Sequence, residues 1–121
     1  MNWKFVNLNP LSDIELDCVC RAITNVTGRD YYDIEKKLCE IASLFECQQL
    51  CVCCYKFLLD YVFGFKRIEE YQGKPIKEFL EDVKYGTYLV RIENHLTCVR
   101  DAYIEDTWDC SNWKIDIIWQ C

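Results

Sequence analysis

Gly86-Thr87-Tyr88-Leu89-Val90-Arg91-Ile92, then His95-Leu96-Thr97-Cys98-Val99-Arg100 and Tyr103-Ile104-Glu105-Asp106, is where the hydrophobic spacing of this chain changes. Before Gly86, apolar residues recur at three and four residues, the period of a helix face; after it they recur at two, the period of a strand. The stretch predicts strands over 87–92, 95–100 and 103–106, the last two joined by the tight Arg100-Asp101-Ala102 turn. Alternation resumes from Trp113 to Trp119 as a fourth strand. The reading is an α+β domain: N-terminal helices packed on a C-terminal antiparallel sheet, a meander.

Working upstream, Pro75 opens a helix with Ile76, Phe79, Leu80 and Val83 inward. Phe65 to Ile68 is a brief strand. A longer helix is expected from Gln48 to Tyr61, with Cys47, Cys51, Cys54 and Leu58 on one face and Gly64 as its stop. Asp30 caps a helix whose apolar positions are Tyr31, Ile34, Leu38, Ile41 and Ala42. Asp17 is the N-cap of the first helix, with Cys18, Ala22 and Val26 in phase and Thr27-Gly28 as its end. Leu11 to Leu16 reads as a loop. Trp3, Phe5 and Asn7 alternate in a short strand or arm ending at Pro10. Residues 1–121 make a single domain, with no repeat, linker or low-complexity segment.

The formal charge of -6 and the absence of a basic stripe argue against nucleic acid and against an anionic membrane surface as partners. The N-terminal residues have no signal-peptide pattern, and the apolar run from 57 to 65 is too short to span a bilayer. A cytoplasmic protein is expected, and its ten cysteines should then be mostly free thiols. Cys47, Cys51, Cys53 and Cys54 have the spacing C-x3-C-x-C-C. On one helix and without a second, separated pair, that spacing does not predict a zinc site, so neither metal nor cofactor is expected. No Gly-rich phosphate loop is present.

The chemistry concentrates elsewhere. Cys18 falls at a helix start, where the dipole favours thiolate, whereas Cys20 lies two residues further in. His95 is the only histidine, on a strand whose antiparallel neighbour ends in Asp106. A thiol, an imidazole and a carboxylate so placed form a candidate nucleophile, base and orienting acid. The bland alternatives are an inert half-buried thiol for Cys18 and a satisfied core histidine for His95. Asp109 and Ser111 read as an Asx-type turn, and Trp108, Asp109 and Trp113 are candidate binding residues near it.

Val6-Asn7-Leu8-Asn9-Pro10, Asp17-Cys18-Val19-Cys20-Arg21-Ala22-Ile23, Gly86-Thr87-Tyr88-Leu89-Val90, His95-Leu96-Thr97-Cys98-Val99 and Asp106-Thr107-Trp108-Asp109-Cys110-Ser111 look like a group of small phage and prophage proteins. That group in turn resembles papain-like cysteine peptidases. The resemblance implies a papain-like fold with Cys18 as nucleophile, His95 as base and Asp106 as orienting acid, acting in the cytoplasm of an infected bacterium. Papain-like enzymes carry a Gln or Asn before the cysteine for the oxyanion; no Gln precedes Cys18, which leaves Asn9, Asn7 or the Cys18 backbone N–H. Leu16 replaces the Gly that the resemblance implies before the Asp-Cys pair. Two functions follow. One is a thiol hydrolase acting on a peptide or other acyl bond. The other is a catalytically silent scaffold that blocks host defence by binding an immune protein or a small signalling ligand.

Overall fold

The computed structural model describes residues 2–10, 17–47 and 51–121. The loop expected over 11–16, Leu16 included, and the helix start expected at Gln48 lie outside the described residues.

Four α-helices are described: α1 (Cys18–Thr27), α2 (Tyr31–Phe45), α3 (Val52–Phe57) and α4 (Ile76–Asp82). Six strands accompany them: β1 (Trp3–Phe5), β2 (Lys66–Ile68), β3 (Thr87–Ile92), β4 (His95–Arg100), β5 (Tyr103–Asp106) and β6 (Ile117–Gln120). They form one sheet in the order β1-β5-β4-β3-β6-β2. The α+β class therefore holds, with a sheet that differs from the expected meander. Only β3, β4 and β5 follow one another as hairpins. β6 returns to the far side of β3, pairing Leu89 with Trp119 and Val90 with Ile118, and β2 extends that edge. β1 lies parallel to β5, so the sheet is mixed. The sixth strand is also shorter than expected, because the chain at Lys114 is drawn aside to bridge Pro75.

The local signals explain most of the elements. Asp30 accepts the N–H groups of Tyr32 and Asp33, 3.1 and 3.2 Å away, which caps α2. Gly28 takes a left-handed conformation, φ 68°, and its N–H reaches the Thr24 carbonyl to close α1. Asp101 and Ala102 both have positive φ, the requirement of the two-residue turn joining β4 to β5.

Alternation along the strands sorts side chains between two cores. Leu89, Leu96 and Trp119 face α1, α2 and α3 and meet Ile23, Ile34, Leu38 and Leu58. Tyr88, Val90, Ile92, Val99, Ile104 and Ile118 face the other way and are covered by Ile76, Phe79 and Leu80 of α4. The N-terminal helices α1 to α3 thus pack on one face of the sheet, while α4 closes the opposite face. Both faces being buried, β3 and β4 carry almost unbroken apolar runs.

The third helix departs most from the sequence reading. Cys51 is its N-cap, in extended conformation, and Cys47 follows α2 instead of lying on the same helix. After Phe57 the chain widens into one π-helical turn, Leu58–Val62. That turn carries Asp60, which accepts the Trp119 indole N–H at 2.8 Å and binds Arg67 through both carboxylate oxygens. Among the described residues no helix is long and apolar enough to cross a membrane.

Candidate active site

Cys18 is the first residue of α1, His95 the first of β4 and Asp106 the last of β5. α1 packs against β4, which brings the first two together. The β4–β5 register pairs Val99 with Ile104 and Cys98 with Glu105. His95 and Asp106 therefore project from one face of neighbouring strands, within diagonal reach. The His95 Nε2 lies 2.6 Å from Asp106 Oδ2. Nε2 being committed there, Nδ1 is the ring nitrogen left to act on the Cys18 thiol, which shares a cleft with His95 and interacts with it electrostatically.

The carboxylate is held from several sides. Asp106 is 6% exposed. Its Oδ1 accepts the Thr107 N–H at 2.7 Å. Its backbone carbonyl accepts the N–H of Val6 at 2.9 Å and the indole N–H of Trp3 at 3.2 Å. The parallel strand β1 thus fixes the strand end that presents the acid. On the other side of the sheet, Arg100 bonds to Asn25 of α1 and to Glu105 of β5, which sets the angle of α1 over the sheet.

These surroundings set the charges. Burial opposes ionisation of Cys18. The hydrogen bonds from His95 and the Leu96 backbone, with the charges of His95 and Arg21, outweigh it and hold the thiol below its usual range. Burial likewise opposes protonation of His95, but the bonds to Asp106 and Cys18 raise it to about 9. Burial works against the Asp106 carboxylate, and the His95 bond overcomes it and holds the group below the usual carboxylate range. His95 is thus held as imidazolium through neutral pH, and the Cys18 thiol beside it is shifted toward the thiolate. Other cysteines are in the opposite situation: burial pushes Cys20, Cys98 and Cys110 each up to about 12. Among the described residues no disulfide joins any of the cysteines.

A cleft of about 300 Å³ opens beside the sulfur, lined by Cys18, Val19, Cys51, Val52, Tyr55, Arg91, Asn94 and His95. Tyr55, Arg91 and Asn94 were not legible as site residues, because only the tertiary fold brings α3 and the β3–β4 turn to the cysteine. The Arg91 Nε donates to the Tyr55 hydroxyl at 2.7 Å, and its Nη1 pairs with Asp116. Its Nη2 has no protein partner among the described residues.

The remaining candidates are placed as follows. Asn9 donates its side-chain amide to Asp17 at 2.9 Å, and the Asn7 side chain accepts the Asn9 N–H at 3.0 Å. Neither lines the cleft. Asp17 holds the N-cap position of α1, yet its side chain makes no capping bond. It accepts instead from Asn9 and the Tyr31 hydroxyl and pairs with Arg21, tying the N-terminal arm to α1 and α2. Trp108 packs on the His95 ring with centroids 5.0 Å apart, and Trp113 packs edge-on against Trp108. Both indoles are exposed, with Trp108 alone touching the His95 ring. Asp109 caps the Ser111 N–H in an Asx turn.

Comparison of the chain with protein-family models, with curated proteins and with solved structures finds no match in any of the three.

Proposed function

We propose that this chain is a thiol hydrolase of papain-like type, with Cys18 as nucleophile, His95 as acid and base, and Asp106 as the orienting carboxylate. The observation that carries the reading is the His95 imidazole, bonded to the buried Asp106 at 2.6 Å and sharing one cleft with the Cys18 thiol. The order of the three residues along the chain also agrees with that type.

The geometry supports the following cycle. The Cys18 thiolate attacks a carbonyl carbon lying in the cleft, forming a C–S bond and an oxyanion. The first-turn N–H groups of α1 lack helical acceptors, so the Cys18 backbone N–H and the positive end of α1 stabilise that oxygen. The His95 imidazolium gives its Nδ1 proton to the leaving amine or alkoxide as the bond to it breaks, which leaves a thioester on Cys18. Neutral His95 then takes a proton from water, the hydroxide attacks the thioester, and the thiolate departs with its imidazolium partner restored. Arg91 supplies the cleft with a cation whose Nη2 suits an acceptor oxygen of the substrate.

The test is acylation by a small activated ester, followed by mass analysis of the modified peptide. The expected product is a transient acyl group on Cys18, absent in Cys18→Ser and in His95→Ala while both variants stay folded. Acyl groups spread over exposed thiols such as Cys39 and Cys53, with Cys18 untouched, would refute the assignment.

A further inference from the structure

The four cysteines set aside on sequence grounds come together in space. The Cys47 and Cys54 sulfurs are 2.7 Å apart, Cys47 and Cys53 are 3.0 Å apart, and Cys53 and Cys51 are 3.0 Å apart. The contacts run as a chain, Cys54–Cys47–Cys53–Cys51. The sulfurs of Cys47, Cys51 and Cys53 all lie within 4.8 Å of one another. From this convergence we infer a second site, in which Cys47, Cys51, Cys53 and Cys54 bind one Zn²⁺ ion.

The backbone explains how C-x3-C-x-C-C becomes a site. Were all four on one helix, Cys53 would face away from Cys47 and Cys51. The helix starts only at Val52, with Cys51 as an extended N-cap and Cys47 beyond the end of α2. Cys47 therefore approaches from a different element and closes the group.

A disulfide does not account for the arrangement. Bonded sulfurs lie about 2.05 Å apart, and one bridge joins two cysteines, whereas here both Cys47 and Cys53 have two sulfur neighbours. Tetrahedral zinc with bonds of about 2.3 Å places its sulfurs about 3.8 Å apart, so the ion would spread these by about 1 Å. Four sulfurs with no histidine or carboxylate among them suit a soft, tetrahedral cation. Binding would release the thiol protons, and the cation would offset the repulsion between the thiolates that form. Cys54 is fully buried, whereas Cys53 is exposed and gives the ion a way in.

The site would also brace the cleft. Cys51 and Val52 line the cleft beside Cys18, so the ion would pin that wall to the end of α2. The inference stands whether or not Cys18 is a nucleophile.

The experiment is metal analysis of the purified chain, made with Zn²⁺ in the medium and kept reduced, followed by cobalt substitution. The expected result is one zinc per chain and, with Co²⁺, the thiolate-to-metal charge-transfer bands of a tetrahedral sulfur site. Cys53→Ser and Cys47→Ser should both lose the metal, and exposed Cys53 is the variant least able to disturb folding. Cys18→Ala and Cys121→Ser should keep it. Metal-free protein despite supplied zinc, iron in place of zinc, retention of zinc by Cys53→Ser, or its loss from Cys18→Ala would each overturn the proposal.

Discussion

Replacing Asp106 by Asn tests how the imidazolium is held. Asp106 presents one oxygen to His95 at 2.6 Å and the other to the Thr107 N–H at 2.7 Å. An Asn has a single acceptor oxygen, and the backbone N–H of Thr107 claims it. The amide nitrogen then faces Nε2, which must become an acceptor, so the ring proton moves to Nδ1 and the ring turns neutral. The loss is that of a buried, charge-assisted hydrogen bond, about 1.5–3 kcal/mol. At about 1.4 kcal/mol per pH unit, the His95 midpoint should fall from about 9 by about one to two units. His95 being the only histidine, its imidazole NMR resonances need no assignment, and one titration of each protein gives both midpoints. A wild-type midpoint near the ordinary 6.5, or one that Asp106→Asn leaves in place, would refute the reasoning.

Two further outcomes follow. The rate of Cys18 acylation should be bell-shaped in pH. It should rise as the lowered Cys18 thiol ionises and fall near pH 9 as His95 loses its proton; a rate that only rises through pH 10 would contradict the imidazolium's role. Ile23→Ala removes a fully buried side chain where α1 meets the main core and should cost about 2–5 kcal/mol in urea unfolding; a loss under about 1 kcal/mol would mean α1 is not anchored there.

What the sequence made legible was what short-range chemistry decides. The apolar positions of α2 from Tyr31 to Ala42 and its Asp30 cap are local, and so are the strands over 87–92, 95–100 and 103–106. His95 and Asp106 belong to one hairpin, so their pairing follows from register. Long-range features were hidden. Nothing in residues 113–119 says that β6 joins β3, and nothing in residues 3–5 says that β1 joins β5 in parallel. Asp17 looked like a cap because caps and buried anchors use the same residue; only the positions of Asn9, Tyr31 and Arg21 distinguish them. The cysteine cluster was missed because the helical pattern ran on through Cys51, where the backbone in fact turns.

The most direct test of the central claim is the pH dependence of Cys18 alkylation by iodoacetamide, followed residue by residue by mass spectrometry. The structure predicts that Cys18 reacts first among the ten cysteines at pH 6.5. Its midpoint should lie below the ordinary thiol range, and His95→Ala should carry that midpoint upward. Cys18 reacting only in step with the exposed Cys39, with a profile that His95→Ala does not move, would contradict it.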